Sequence, residues 1–206
     1  MKIYWIVSNY PHLHNVQAGI FYKDFAEALV KKGIDLTVIA PTPFAGSLLA
    51  ALSAKWKIYQ DAPFYEEQNG VKIYRPRYFT HPGEVYRGIP HYFMLRAIKK
   101  LNLPAPDVIH GFGGYPAAFA AKNFAGDNIP FVSTFIGSDT HDYPNVNSKS
   151  LSRFNFLVKK SQKVLAVSKD LAARIFNLTA VKADVIRMPF NASHLSLLTK
   201  QEARMK

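Results

Sequence analysis

The 206-residue sequence contains no cysteine, which removes disulfides, thiol nucleophiles and cysteine-based zinc sites and is compatible with a reducing compartment. It also lacks any uninterrupted apolar run approaching the roughly 18 residues of a membrane-crossing helix. The opening residues, MKIYWIVSNYP, carry one lysine, a short apolar run and no small-residue cleavage site, so no secretion signal is expected. Without one, the Asn-x-Ser/Thr triplets at Asn177 and Asn191 are not read as glycosylation sites. Acidic residues are scarce. Fourteen Asp and Glu stand against 26 Lys and Arg, a net charge of +12. Such a surplus favours anionic partners: nucleic acid, an anionic membrane face or phosphorylated ligands. Apolar residues make up 49%, enough for a packed core, and neither repeats nor low-complexity segments interrupt the chain.

What is present alternates. Short apolar runs of strand length lie near residues 2–8, 34–40, 71–75, 107–110, 129–136, 163–167 and 183–188. Helical patterns fall between most of them, over about 19–32, 84–101, 115–125, 148–161 and 169–176, with a short one at 48–53. In the first, Phe21, Phe25, Ala28 and Leu29 share a stripe, and Lys31-Lys32-Gly33 closes the helix with cations and a glycine. Lys55–Gly70 reads as irregular, with Asn69-Gly70 a turn before the third strand. This alternation predicts an α/β domain over 1–190: a doubly wound, Rossmann-like parallel sheet of six or seven strands with helices on both faces.

In open α/β sheets ligands bind beyond the carboxyl ends of the strands. Two polar residues stand at such ends in the stretch 107–144: His110 after one apolar run, and Asp139, within Gly137-Ser138-Asp139, after the next. A histidine there can bond a hydroxyl or move a proton, or simply bond neighbouring backbone. Asp139 can meet ligand hydroxyls, cap a helix or pair with His141. Gly111, Gly113 and Gly114 permit close approach of backbone to a ligand, or a tight turn. Gln17-Ala18-Gly19 precedes the first helix, whose terminal amides suit a phosphate. Arg87, Arg96, Lys99 and Lys100 form a basic face, either solvated or set against an anionic membrane. His141 and Asp142 do not complete a metal site. The G-x-G-x-x-G pattern of a dinucleotide-binding dehydrogenase fails in place and composition, since Gly111-Phe112-Gly113 follows the fourth apolar run. No recognition helix or stacking signature concentrates the basic residues, so nucleic acid is not expected as a partner.

Taken in order, NVQAGIFYKDFAEALVKKGIDLTVIAP, DVIHGFGGYPAAFAA, PFVSTFIGSDTHDY and SQKVLAVSKDLAARI resemble the N-terminal half of a GT-B glycosyltransferase of the large retaining group called family 4. They are most similar to the subgroup acting in bacterial surface polysaccharide synthesis. The resemblance runs from Lys2 to about Asn191. It implies the acceptor-side domain of an enzyme that moves a hexosyl unit from a nucleotide sugar to a glycan or lipid-linked acceptor. The donor-binding half would follow, with 191–206 as the start of the linker, and the half present would not turn over alone. It implies contact of Gln17, Ala18 and Gly19 with the donor diphosphate, and a sugar or acceptor site lined by His110. It further implies no metal or other cofactor, only the nucleotide sugar as substrate, and a cytoplasmic protein peripheral on the inner membrane face. Two positions depart from the pattern. Ala18 stands where a first glycine is usual, and Pro189-Phe190-Asn191-Ala192-Ser193 replaces the usual PNGVD.

Overall fold

A computed structural model describes residues 1–44, 51, 54–80 and 89–189. Arg87, the 48–53 segment apart from Ala51, and the 191–206 linker lie outside the described residues. The strands are β1 (Lys2–Ile6), β2 (Asp35–Ile39), β3 (Thr42–Pro43), β4 (Tyr65–Gln68), β5 (Val71–Tyr74), β6 (Arg77–Tyr78), β7 (Val108–Phe112), β8 (Phe131–Phe135), β9 (Lys163–Ala166) and β10 (Asp184–Val185). The helices are α1 (Ile20–Lys31), α2 (Ala54–Asp61), α3 (Pro90–Lys99), α4 (Ala117–Ala125), α5 (Ser138–His141), α6 (Ser148–Lys159) and α7 (Lys169–Thr179), with a 3-10 turn at Tyr143–Asn145.

Eight strands form one sheet in the order β10-β9-β8-β7-β1-β2-β5-β4, and β3 pairs with β6 beside it. All seven expected strands are there and run parallel. The eighth, β4, lies in the stretch expected to be irregular and joins antiparallel to β5 at the edge. The start of the same stretch is helical, within α2.

β1 shows why the sheet is covered on both faces. Tyr4 and Ile6 join one core with Phe131 of β8 and with Met94, Ile98, Ala118, Phe154, Leu157 and Ile175 from helices α3, α4, α6 and α7. Trp5 and Val7 join another with Tyr22, Ala26, Leu36, Val38 and Phe112, under α1. A strand buried on both faces has no polar side, which is why KIYWIVS reads as a continuous apolar run. On α1 the inward stripe is Tyr22, Phe25, Ala26 and Leu29; Ala28, expected on it, is exposed. Ala117, Ala118, Ala120, Ala121 and Ala125 are buried, so α4 lies close against the strands.

Candidate active site

All the central strands point their carboxyl ends at one edge. From β1 the chain crosses to β2 on one side, while β7 and β8 lie on the other, so the order reverses between β1 and β7. The crevice at such a reversal is where open α/β sheets hold ligands. Here it is a cleft of about 340 Å³, lined by Ser8 and Asn9 after β1, Gly113 and Tyr115 after β7, and Ile136, Ser138, Asp139, Asp142 and Tyr143 after β8. The N-terminus of α1 closes it with Gly19, Phe21 and Tyr22.

Gly19 adopts the left-handed region at φ 72° and has no side-chain cap. A methyl group there would meet Tyr22 Cδ2 at 2.7 Å and Asn9 Oδ1 at 2.8 Å. Only glycine lets the loop after β1 lie this close to the helix start. Gln17 is exposed and Ala18 half-buried in the turn before it; neither lines this cleft, although Ala18 reaches an adjoining pocket.

Asp139 is 6% exposed, and its carboxylate turns back on its own loop. It accepts from Gly137 N (2.7 Å), from Ile136 N (3.1 and 3.2 Å) and from Thr140 Oγ1 (3.4 Å). Asp139 is therefore neither the residue preceding a helix nor the partner of His141, whose Nε2 lies 3.3 Å from Asp170. Burial pushes its pKa up, while the amides of Gly137 and Ile136 draw it down. Burial and the Asp139 charge keep the Tyr22 phenol protonated. Gly114, at φ 56°, packs against this aspartate: a methyl there would sit 2.8 Å from Asp139 Cβ. Arg174 of α7 fixes the far end of the turn, donating to Thr140 O (2.9 Å) and His141 O (3.2 Å). Ser138 is exposed at the mouth, and a methyl on Gly137 would meet open space. Tyr115 stacks on Tyr143 (4.8 Å between centroids, 6° between planes), with Arg153 5.1 Å from the Tyr115 ring, giving the cleft a stiff aromatic wall.

Two expectations are corrected. His110 does not end its strand, because β7 continues to Phe112. Its ring is stacked on Phe112 (4.0 Å), edge-on to Trp5 (5.8 Å) and bonded through Nε2 to Thr134 Oγ1 at 2.6 Å. Loss of water around the ring brings its pKa down to about 3, although the residue keeps part of its surface accessible. Such an imidazole is neutral near pH 7, and it does not line the cleft. Gly111 is likewise inside β7, where a methyl would strike Ala118 Cα at 2.9 Å; its smallness seats α4 on the sheet. The residues not foreseen include Ser8, Asn9, Tyr22 and Tyr143. Ser8-Asn9 directly follows the first strand, so the strand-end rule applied to His110 would have found it.

Arg96 and Lys99 of α3 and Lys100, which caps its end, are exposed together. With Arg77, Phe79, Tyr92 and Phe93 the first and last of them line a shallow groove. Phe44, Phe79 and Tyr92 are exposed apolar groups on this side, and the first two stack 6.2 Å apart. Among the described residues no helix is long and apolar enough to cross a membrane.

The sheet is doubly wound and Rossmann-like, and its cleft lies at the reversal of strand order, bordered by Gly19 and Gly113. Residues 18–192 match the model of Glycosyltransferase Family 4, and the chain belongs to that family. It is 32% identical over its whole length to a Bacillus subtilis (strain 168) protein named as a teichuronic acid biosynthesis glycosyltransferase, TuaC, covering 54% of it. It is 27% identical, over 93% of its length, to the uncharacterized glycosyltransferase MJ1607 of Methanocaldococcus jannaschii, covering 46% of that protein. The chain thus spans about half the length of these relatives. Its fold superposes over 100% of its length on 52% of sucrose-phosphate synthase from Thermosynechococcus elongatus, with a TM-score of 0.67 at 12% identity.

Proposed function

We propose that this chain is the acceptor-side domain of a retaining glycosyltransferase that moves a hexosyl unit from a nucleotide sugar to a glycan or lipid-linked acceptor. The observation that carries this reading is the cleft itself. Gly19 and Gly113 leave room for a ligand to approach the backbone at the reversal point, and the N-terminus of α1, which has no side-chain cap, lines the same cleft. A departing phosphate gains from helix-terminal amides as negative charge develops on it. The carboxylate of Asp139 serves as a positioning group, because its oxygens already hold the amides of residues 136 and 137. No metal or other cofactor enters this scheme. A second half, binding the donor, completes the active site, and the 206-residue chain alone does not turn over.

Release of nucleoside diphosphate from a panel of nucleotide sugars tests this, using the native gene product and the 206-residue chain side by side. Turnover by the gene product and none by the chain alone is expected; hydrolysis or transfer by neither, with every donor, counts against the reading.

A second feature supports a membrane role beside it. Exposed Phe44, Phe79 and Tyr92 next to Arg96, Lys99 and Lys100 combine apolar and cationic groups as an anionic bilayer surface requires, each cation contributing on the order of 1 kcal/mol. The protein then works on the cytoplasmic side, peripheral to the membrane. Flotation with anionic vesicles at low salt, lost at high salt, is the expected behaviour; equal binding to neutral vesicles contradicts it.

A further inference from the structure

Between β1 and α1 the chain forms an arch, residues 8–19. Ser8 and Asn9 at one foot and Gly19 at the other line the cleft. The feet meet: a methyl on Gly19 would lie 2.8 Å from Asn9 Oδ1 and 3.1 Å from Asn9 O. Where this wall of the cleft stands therefore depends on what holds the arch. Tyr10 pins its near side in the core under α1. Beyond Tyr10 the arch buries little apolar surface, with Leu13 and Val16 83% and 57% exposed. Its turn is closed locally, His12 and Asn15 exchanging backbone hydrogen bonds of 2.8 and 3.3 Å.

Pro11 is buried, and a buried backbone carbonyl needs a donor. Arg75 supplies it. Its Nη2 donates to Pro11 O at 2.7 Å, and Nη1 donates to Pro63 O at 3.5 Å. Nη2 also lies 2.5 Å from Glu66 Oε1 on β4, whose carboxylate compensates the charge. Arg75 directly follows β5, and its own amide donates to Phe64 O at 2.7 Å, so the side chain starts from a fixed point beside the sheet. The residue is 1% exposed and does not line the cleft.

Stability alone does not call for such a pair. Replacing a buried ion pair by apolar groups of similar volume is often neutral or stabilising. What apolar groups cannot do is hold a carbonyl at a set place. A planar guanidinium that reaches a carboxylate on one segment and a carbonyl on another fixes the two segments relative to each other. Here one segment is the β4–β5 hairpin at the sheet edge and the other is the arch.

We propose that Arg75 is a positioning residue for the cleft: bonded to Pro11 O and paired with Glu66, it fixes the arch that carries Ser8, Asn9 and Gly19, and it touches no ligand itself. Its effect on transfer rests on the glycosyltransferase reading; the anchoring of the arch rests on the geometry alone.

The test compares the native gene product with its Glu66→Gln/Arg75→Met variant, which removes the pair without leaving a buried charge. Hydrogen exchange in the peptide holding the His12 and Asn15 amides should quicken roughly five- to thirtyfold, while β1 and β2 stay protected. Nucleoside diphosphate release is then measured below the unfolding midpoints of both proteins. A displaced wall weakens ground state and transition state together, so KM for the nucleotide sugar should rise about tenfold with kcat changed less than about threefold. A general loss of structure would instead lower kcat through the folded fraction. Should the double variant not fold, Arg75→Lys, which keeps a cation beside Glu66 but loses the planar fork, carries the same expectations. Unchanged exchange in the arch overturns the anchoring. Faster exchange with parental KM, or a loss confined to kcat, overturns the positioning of the cleft. If the parent turns over no donor, the transferase reading falls, and exchange still decides whether Arg75 holds the arch.

Discussion

Gly114 and Asp139 are the residue pair on which the cleft geometry turns. The aspartate holds the loop after β8 through two backbone amides, and it can do so only because residue 114 has no side chain. Gly114→Ala adds a methyl 2.8 Å from Asp139 Cβ at a positive φ, and should cost about 2–4 kcal/mol. Urea unfolding measures this; a loss below about 0.5 kcal/mol, the range of neutral surface changes, would mean the contact is not a constraint. His110 leads to a different prediction, on pH. Its folded-state pKa, about 3, lies below the unfolded value of 6.5. Between these values the unfolded chain binds the extra proton, so this contribution to stability is complete above pH 6.5 and falls as the solution is acidified. The slope approaches about 1.4 kcal/mol per pH unit for one proton. Urea unfolding between pH 7 and 5 should show that slope in the parent beyond whatever His110→Gln retains; parallel profiles would show that the ring is not held neutral.

At the scale of elements, α7 is the support for the loop after β8. Arg174 reaches across to the carbonyls of Thr140 and His141, while the amides of residues 140–142 bond back to Gly137 and Ser138. Arg174→Ala should free the turn by about 1–2 kcal/mol. Amide exchange at Thr140, His141 and Asp142 should then quicken roughly five- to thirtyfold while β8 stays protected. Unchanged exchange would mean that the turn stands without α7. Elements also show where the sequence could be read and where it could not. The seven parallel strands are apolar because helices cover them, so each announced itself. β4, Tyr-Glu-Glu-Gln, has no such pattern: its place is set by pairing with β5 and by the Asn69-Gly70 turn, both residues at positive φ. The turn was visible, but the strand that leads into it was not. Glu66 looks wrong for a strand until Arg75, on the neighbouring chain segment, supplies its partner.

For the whole molecule, the common direction of the strands decides which edge can hold chemistry, and that direction follows from the alternation of apolar runs and helices. The edge bearing the cleft was therefore legible, as were Gly19, Gly113, Ser138 and Asp139 upon it. His110 and Gly111 were misplaced because a glycine-rich string after an apolar run looks like a turn. Here one of those glycines sits within the strand to admit α4, and the strand carries the histidine inside with it.

The proposed function requires transfer to take place at the cleft beyond β1, β7 and β8. Ser138 offers a direct way to close it, because the residue is exposed at the mouth and a larger side chain there fills the cleft without entering the core. Nucleoside diphosphate release by the native gene product should be compared between the parent and Ser138→Trp, with thermal unfolding of both as control. Loss of kcat/KM by at least a hundredfold, about 2.7 kcal/mol of transition-state stabilisation, with an unchanged unfolding midpoint is the expected result. Parental kcat/KM in a folded Ser138→Trp protein would mean that transfer takes place elsewhere.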